Sequence, residues 1–301
     1  VKEIYDKCWE LRGTRDDIMI FNQFEEFGNH LWHYDITGHA MCDVLDEIMK
    51  PGDRYAGLTS STGSAGTIGC GDFMKEKYPS SKIAACEALQ CPTLLLNGFG
   101  GHRIEGIGDK HVPWIHNVRN TDMIIAADDE DCMQILRLLN EPAGREYLSS
   151  QGIAKNLLDK LDLIGISGIG NIVSAIKLAK YYELTSKDIV LTVLTDSMEL
   201  YGSRIQELRE QFGEYTRSDA VRDYHKSILG QNKDNLLELS FYDKKRIHNL
   251  KYFTWIEQQG RELDELNEQW YNWEEYWGQI HSMVPEIDKR IEEFNQMTGL
   301  L

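Results

Sequence analysis

The chain of 301 residues lacks Cys-x-x-Cys pairs, long apolar runs and clusters of basic residues, and each absence excludes a class of protein. The six cysteines are scattered, so neither a cysteine zinc site nor a disulfide framework is indicated, and a reducing cytoplasm is the expected location. No apolar run reaches about 18 residues, so no membrane span is expected. A formal net charge of −17, without clustered Lys and Arg, argues against nucleic acid and anionic lipid as partners.

The chain also lacks a starting methionine. Val1 instead opens a helix-like apolar pattern that continues at Ile4, Tyr5, Cys8 and Leu11. An apolar residue at every third or fourth position is the period of an amphipathic helix. Because the pattern is already under way at Val1, residues upstream are expected, on this chain or on another.

From Val1 to about Ser197, apolar runs of strand length alternate with amphipathic segments of helix length, which is typical of an α/β layered domain. Helices are predicted at Thr67 to Lys77, Asp129 to Asn140 and Ile169 to Tyr182, where apolar residues recur at three- and four-residue spacing. We expect a three-layer fold built on a parallel sheet. The predicted strands are Ile18 to Phe21, Tyr55 to Thr59, Lys82 to Cys86, Met123 to Ala126, Leu163 to Ile166 and Ile189 to Leu194.

After residue 197 the composition changes, because Glu, Gln, Asn and aromatic residues dominate and the β-branched runs typical of strands disappear. The sequence therefore predicts two domains, an α/β domain over residues 1–197 and an all-helical extension over residues 198–301. The aromatic surface of the extension either packs on the first domain or on a second subunit, or it faces a ligand. It comprises Leu250, Phe253, Trp255, Ile256, Trp270, Tyr271, Trp273, Tyr276 and Trp277.

A turn of small residues, Gly63-Ser64-Ala65-Gly66-Thr67, connects a predicted strand to a predicted helix. Gly and Ala let the backbone approach a phosphate closely, and the positive end of the following helix favours a dianion. The hydroxyls of Ser64 and Thr67 add donors without adding charge. The turn predicts a phosphate cradle, although a glycine-rich turn between a strand and a helix also occurs for purely structural reasons.

A second glycine turn, from Gly165 to Asn171, again follows a predicted strand and opens a predicted helix. It lacks G-x-G-x-x-G, and so do the glycines at Gly98 to Gly101 and Gly106 to Gly108, so a dinucleotide site is not indicated. Two glycine turns at one edge of a parallel sheet could grip opposite ends of a compact phosphorylated cofactor. The alternative for the second turn is tight packing of a helix on a strand.

Five motifs occur in the order in which one enzyme family has them. Gly63 to Thr67 resembles the G-T-G-G-T phosphate loop of cysteine synthases and cystathionine β-synthases, and Lys75 to Pro79 resembles their K-E-K-N-P. The matches span residues 17 to 201, so the chain resembles the fold-type II pyridoxal-phosphate (PLP) enzymes, which include tryptophan synthase β. The other matches are Asn22 to Asn29 with His33 to Gly38 (N-Q-F-x-N-P-A-N, then H-Y-x-T-T-G), Glu105 to Pro113 (Q-G-I-G-x-x-x-x-P), Gly165 to Ser167 (G-I-S-S-G) and Leu194 to Tyr201 (P-D-S-x-x-x-Y).

The resemblance implies a role for each matching residue. The turn from Gly63 to Thr67 would bind the PLP phosphate, and Ser167 would face the pyridine nitrogen, where a neutral hydroxyl favours chemistry that expels a β-substituent. Gln23 would hydrogen-bond the substrate carboxylate, with a turn role as the alternative. The implied cofactor-binding residues are Gly63, Ser64, Ala65, Gly66, Thr67 and Ser167, and the implied substrate-binding residues are Gln23, Gly106, Ile107 and Gly108.

The chain departs from the family most clearly in what it lacks. Neither the S-x-K-D-R-like motif with the Schiff-base lysine nor the T-S-G-N-T-G substrate loop occurs, and Lys75, Lys110 and Lys177 stand where the family has no such lysine. The catalytic residue is therefore unknown and is expected in a missing amino-terminal domain. Ala65 also replaces the usual glycine of the phosphate loop.

For the intact protein, the resemblance implies a cytoplasmic PLP-dependent lyase or β-replacement enzyme, like cysteine synthase, that acts on a small amino acid as a homodimer. This chain alone is expected to be inactive. One alternative is a threonine- or diaminopropionate-type deaminase on the same fold. Another is a non-catalytic PLP-fold protein with a regulatory or scaffolding function.

Three other signals are weaker. His30, His33 and His39 lie near Asp35, but their spacing matches neither H-E-x-x-H nor a zinc knuckle, so no metal site is predicted. The acidic run from Asp128 to Asp131 fits the start of a helix better than a calcium site. No G-x-S-x-G surrounds a serine, so a hydrolase is not indicated.

Overall fold

The computed structural model describes residues 2–299, and within them a five-stranded sheet forms the centre of the fold. Val1, the first position of the predicted apolar pattern, lies outside the described residues, and the pattern after it belongs to the first helix, Lys2–Thr14. The strands are β1 (Arg54–Ser61), β2 (Lys82–Ala88), β3 (Met123–Ala127), β4 (Asp188–Leu191) and β5 (Leu236–Glu238).

The strand order in the sheet is β4-β1-β2-β3-β5. β1 pairs in parallel with β2 and β4, and β2 pairs in parallel with β3, so the predicted parallel sheet is confirmed for these four strands. β5 is antiparallel to β3, with Leu236 opposite Ile125. β2 and β3 are almost entirely buried, as expected of parallel strands that helices cover on both faces.

Helices account for most of the remaining chain. The predicted helix from Asp129 to Asn140 is confirmed at both ends, and the side chain of Asp128 caps it by accepting a hydrogen bond from the N–H of Glu130. Short π-helical segments lie at His33–Thr37, Tyr224–Leu229 and Tyr252–Gln258, and 3-10 turns lie at Leu161–Leu163 and Met198–Tyr201. The α-helices are α1 (Lys2–Thr14), α2 (Phe27–Trp32), α3 (Gly38–Ile48), α4 (Gly69–Lys77), α5 (Thr93–Leu96), α6 (Asp129–Asn140), α7 (Pro142–Ser150), α8 (Lys155–Leu158), α9 (Ile166–Tyr181), α10 (Gly202–Phe212), α11 (Arg217–Asp223), α12 (Phe241–Lys251), α13 (Leu263–Tyr271), α14 (Trp273–His281) and α15 (Val284–Thr298).

Two predicted strands are wrong. Ile18 to Phe21 lies outside the sheet, and Met19 and Phe21 are 76% and 80% exposed. Leu163 to Ile166 comprises the end of a 3-10 turn and the start of α9. Both are short apolar runs, and the period of such a run cannot distinguish a strand from a helix start or an exposed apolar segment.

The segment after residue 197 is helical apart from β5, which corrects the prediction of an all-helical extension. β5 pairs with the edge of β3, which would otherwise be unpaired. The packing alternative for the aromatic residues is confirmed for three of them, since Trp255, Trp270 and Trp277 are 1%, 2% and 3% exposed. Trp255 forms a buried cluster with Trp114 of the α/β part and with Leu266. No helix in the described part of the chain is both long and apolar enough to cross a bilayer.

Candidate functional site

A cavity of 390 Å³ lies where the carboxyl end of β1 leads into the turn before α4. This edge is where open α/β sheets usually bind their ligands. Every residue that the family resemblance implied for cofactor or substrate lines this one cavity. They are Gln23, Gly63, Ser64, Ala65, Gly66, Thr67, Gly106, Ile107, Gly108 and Ser167.

The turn from Gly63 to Thr67 offers free hydrogen-bond donors to the cavity. Within residues 2–299, the backbone N–H groups of Gly63, Ser64, Ala65 and Thr67 have no acceptor. Because backbone N–H groups shielded from water are rarely left unpaired, a turn with several of them is suited to bind an anion. Helix α4 begins two residues later, at Gly69, and adds the positive end of its macrodipole.

Ala65 has a backbone conformation that normally belongs to glycine. Its φ of 63° lies in the left-handed region, where a Cβ atom costs about 1–2 kcal/mol. Ala65 is also the position at which the family resemblance expects glycine. Glycine would adopt this conformation without strain, so the alanine leaves local backbone strain in the turn.

Asn29 ties the phosphate turn to the segment that carries Gln23. Its side-chain amide donates hydrogen bonds to the hydroxyl of Ser64 at 3.0 Å and to the backbone carbonyl of Gln23 at 2.9 Å. A Cβ atom on Gly66 would collide with the same amide, so only glycine permits this close approach. The motif around Asn29 was part of the sequence resemblance, but its positioning role is visible only in the structure.

The second glycine turn reaches the cavity through hydroxyl and amide groups. Ser167, at the start of α9, lies 2.9 Å from the hydroxyl of Thr195, and both line the cavity. The Oδ1 atom of Asn171 accepts hydrogen bonds from the N–H and the hydroxyl of Ser61, each at 2.7 Å. Its Nδ2 atom donates to the carbonyl of Val193 at 2.9 Å. Asn171 thus joins α9 to the ends of two strands, a role that the glycine spacing alone did not reveal.

The loop from Gly106 to Gly108 forms the part of the wall next to the phosphate turn. The N–H of Gly108 donates to the carbonyl of Thr62 at 2.8 Å, which attaches the loop to the phosphate turn. Gly106 and Gly108 have φ values of 82° and 79°, a conformation that favours glycine. The loop can therefore approach the turn closely without a side chain in between.

The cavity wall carries no charged side chain among the described residues. His33 contacts the wall from outside: its Nε2 lies 3.4 Å from the Thr67 hydroxyl, and burial lowers its pKa. The site therefore offers an anion neutral donors rather than a positive charge.

No lysine lines the cavity within residues 2–299. Lys75 forms an ion pair of 2.7 Å with Asp122, and Lys177 pairs with Asp234. Lys110 is exposed. None of these three lysines lines the cavity.

A second cavity of 480 Å³ adjoins the first and shares Gln23, Phe24 and Gly108 with it. Its wall is largely apolar and includes Trp9 of α1 and Phe21, which are 44% and 80% exposed. The exposed run from Ile18 to Phe21, wrongly predicted as a strand, therefore borders the site.

The sheet and the cavity define the class of protein. A mostly parallel sheet whose glycine-rich turns border one uncharged cavity at the strand ends is the large-domain arrangement of the fold-type II PLP-dependent enzymes, and the chain is a relative of that family. No family model matches the chain.

Several known proteins are similar to the chain. Cysteine synthase B of Campylobacter jejuni is 28% identical over 202 residues, which cover 67% of this chain and 58% of that protein. A hydrogen sulfide-producing enzyme from Fusobacterium nucleatum has 25% identity and a TM-score of 0.52, with 65% of this chain and 59% of that chain covered. A cysteine synthase from Entamoeba histolytica shares the fold with a TM-score of 0.56 at 23% identity, covering 74% and 58%. The chain thus spans less than two thirds of the length of each relative.

Proposed function

We propose that the cavity binds PLP, with the phosphate in the turn from Gly63 to Thr67 and the pyridine nitrogen beside Ser167. The free N–H groups of the turn carry the proposal, because they supply donors for a dianion in a wall without charge. The hydroxyls of Ser64 and Thr67 lie in the same turn and add donors. The resemblance to cysteine synthases supports the same cofactor.

Ser167 and Thr195 determine the electronic environment of the cofactor ring. PLP, when bound, supplies an electron sink for the α-carbon of an amino acid. Neither hydroxyl carries a negative charge, so neither holds a proton on the ring nitrogen, and the sink stays weak. Expulsion of a β-substituent makes the smallest demand on such a sink, which favours β-replacement or elimination.

The rest of the cavity fits a small amino-acid substrate. The amide of Gln23 can donate a hydrogen bond to a carboxylate without adding charge, and it lies on the wall that both cavities share. The loop from Gly106 to Gly108 lines the same cavity, whose volume is about 390 Å³. We therefore propose that Gln23 orients the substrate carboxylate and that this loop limits substrate size.

The intact protein is proposed to be a PLP-dependent lyase or β-replacement enzyme like cysteine synthase, active as a cytoplasmic homodimer. A further domain, on this chain or another, is proposed to supply the Schiff-base lysine and to cover the apolar wall formed by Trp9 and Phe21. In this proposal residues 1–197 are the cofactor-binding domain and residues 198–301 are an extension. A deaminase of the threonine or diaminopropionate type would use the same cofactor-binding residues.

Titration of the purified chain with PLP tests the phosphate site. Gly66→Leu should weaken binding by about tenfold or more, because a side chain there displaces Asn29 and pushes the turn from the phosphate. Thr67→Val, which removes only a hydroxyl, should weaken binding several-fold without disturbing the fold. Gly101→Leu is the matched control, since no atom lies near its Cβ position. Equal PLP affinity in Thr67→Val and the wild type would remove the turn as the phosphate site.

A reduction experiment distinguishes an enzyme from a scaffold. No lysine of the described part of the chain lines the cavity. Borohydride reduction of the chain with PLP, followed by peptide mapping, should give no specific lysine adduct and no amino-acid turnover. A specific adduct on Lys75, Lys110 or Lys177 together with turnover would overturn the assignment of the lysine to another domain. Addition of the further domain should give one labelled lysine outside this chain, whereas a scaffold would give none.

A further inference from the structure

Three side chains of metal-ligating type meet in a buried cluster outside the cofactor cavity: His30 of α2, Asp72 of α4 and His281 at the end of α14. His30 is 0% and Asp72 6% exposed, and the side chain of His281 is 11% exposed. The proposed function uses none of the three. His33 and His39, which the sequence grouped with His30, instead contact Thr37 and Asp35.

The distances in the cluster match a metal site. The Nε2 atoms of His30 and His281 are 3.0 Å apart, and each lies 3.8 Å from the Oδ2 atom of Asp72. By plane geometry, one point lies about 2.1 Å from all three atoms, and Zn–N and Zn–O bonds measure about 2.0–2.2 Å. At 3.8 Å the carboxylate of Asp72 forms no hydrogen bond with either imidazole. Direct bonds therefore do not join Asp72 to the two histidines.

The imidazole rings can adjust to a cation. They are nearly parallel, with an interplanar angle of 4° and centroids 5.2 Å apart, so the two Nε2 atoms face each other edge to edge. Each ring has to rotate so that its lone pair turns from the other ring towards the carboxylate. The Nδ1 atom of His30 has no partner, and that of His281 is 3.9 Å from Glu76. The Nδ1 atoms of His30 and His281 therefore have no hydrogen bond that the rotation would break.

The carboxylate of Asp72 is buried without a strong cationic partner. Among the described residues, only His30 and His281 lie within ion-pair distance of it. Lys75, on the same helix, pairs with Asp122 at 2.7 Å instead. A divalent ion would supply the positive charge that this buried carboxylate lacks, with the two imidazoles as further ligands.

Groups around the cluster hold the carboxylate in position. Asn117 donates to Asp72 Oδ2 at 2.8 Å, and Asn120 donates to Oδ1 at 2.6 Å. Tyr34 stacks on the ring of His281 with centroids 3.8 Å apart, and its hydroxyl donates to Glu76. Partners of this kind orient the ligands of metal sites and tune their affinity.

We propose that His30, Asp72 and His281 form a Zn²⁺ site that fastens the extension to the helix of the phosphate turn. Two imidazoles and a carboxylate suit Zn²⁺ better than Mg²⁺, which prefers oxygen ligands. Asp72 lies on α4, which follows the turn from Gly63 to Thr67, so the ion links the end of α14 to the element behind the cofactor site. The proposal does not depend on PLP binding.

Calorimetric titration of the chelator-treated chain with Zn²⁺ tests the site. One ion per chain should bind and raise the Tm, whereas Mg²⁺ should have no effect. Co²⁺ should give visible absorption bands typical of nitrogen and oxygen ligands. Asp72→Asn and His281→Ala should each lower the Zn²⁺ affinity by about tenfold or more. His39→Ala is the control, because this exposed histidine lies outside the cluster.

The wild-type titration decides the question even where a variant fails to fold. Absence of Zn²⁺ binding, of Co²⁺ bands and of a Tm shift in the chelator-treated wild type would show that the histidines form only a hydrogen-bonded pair. Full Zn²⁺ affinity in a folded His281→Ala variant would equally overturn the site. If the wild-type chain binds Zn²⁺ but does not bind PLP, the proposed function is contradicted and the metal site stands.

Discussion

The side-chain amide of Asn29 lies 3.0 Å from the hydroxyl of Ser64 and holds the phosphate turn against the segment of Gln23. With its two hydrogen bonds, to Ser64 and to the carbonyl of Gln23, one side chain orders two parts of the candidate site. A ligand in the cavity therefore meets a turn that is already positioned, which reduces the entropy lost on binding.

Asn29→Asp should reduce PLP affinity by about tenfold, because a carboxylate cannot donate these hydrogen bonds and repels the phosphate. Fluorescence titration with PLP measures the change. Asn267→Asp, an exposed substitution of the same charge, should leave the affinity unchanged. If both variants bind PLP as the wild type does, Asn29 has no part in ordering the site.

Ala65→Val should destabilise the fold by about 2 kcal/mol or more, because a β-branched side chain is strained at positive φ and the site is buried. Ala65→Gly should change the stability by less than about 1 kcal/mol, because relief of strain offsets a lost methyl contact and greater chain entropy. Urea unfolding of both variants measures the difference. Equal stability of the Val and Gly variants would contradict the left-handed conformation.

Trp255→Ala should lower the free energy of unfolding by about 3–5 kcal/mol, because it empties a buried site and removes the hydrogen bond from Nε1 to the carbonyl of Val112. Phe253 lies two residues earlier and has an exposed side chain. Phe253→Ala should therefore lower the free energy of unfolding by less than about 0.5 kcal/mol. Thermal and urea unfolding compare the two. A small effect at Trp255 would mean that the extension is not docked on the loop around Val112.

Acid should destabilise the extension through His248, which joins α12 to α13. Burial lowers the pKa of His248 to about 3, and its Nε2 pairs with the carbonyl of Leu266 at 3.0 Å. The folded pKa lies below the unfolded value, so the unfolded chain binds the extra proton between pH 3 and 6.5. The stability is therefore present above pH 6.5 and is lost as the pH falls, with about 2 kcal/mol lost at pH 5.

His248→Gln should flatten this pH dependence, because glutamine can donate to Leu266 but does not titrate. Urea unfolding at pH 7.5 and pH 5 measures the slope. His39→Gln, at an exposed histidine, should retain the wild-type slope. An unchanged slope in His248→Gln would show that other groups cause the acid sensitivity.

The sequence predicted the elements whose signals are local. β1, β2, β3 and α6 were placed correctly because apolar periodicity and end signals lie within each segment. The turn from Gly63 to Thr67 was recognised for the same reason, since a strand, a small-residue turn and a helix follow one another directly. The residues implied by the family motifs then met in one cavity, because the order of elements brings the carboxyl ends of parallel strands to one edge.

Tertiary structure decided what depends on contacts between distant residues. The run from Ile18 to Phe21 has the composition of a strand but finds no strand partner, whereas the weaker signal at Leu236–Glu238 becomes β5 because the edge of β3 is available. His30 and His281 are 251 residues apart and form a pair only after α14 packs on α2. Spacing along a chain carries no information about groups that meet only on folding, so the His30, Asp72 and His281 cluster could not be predicted from the sequence.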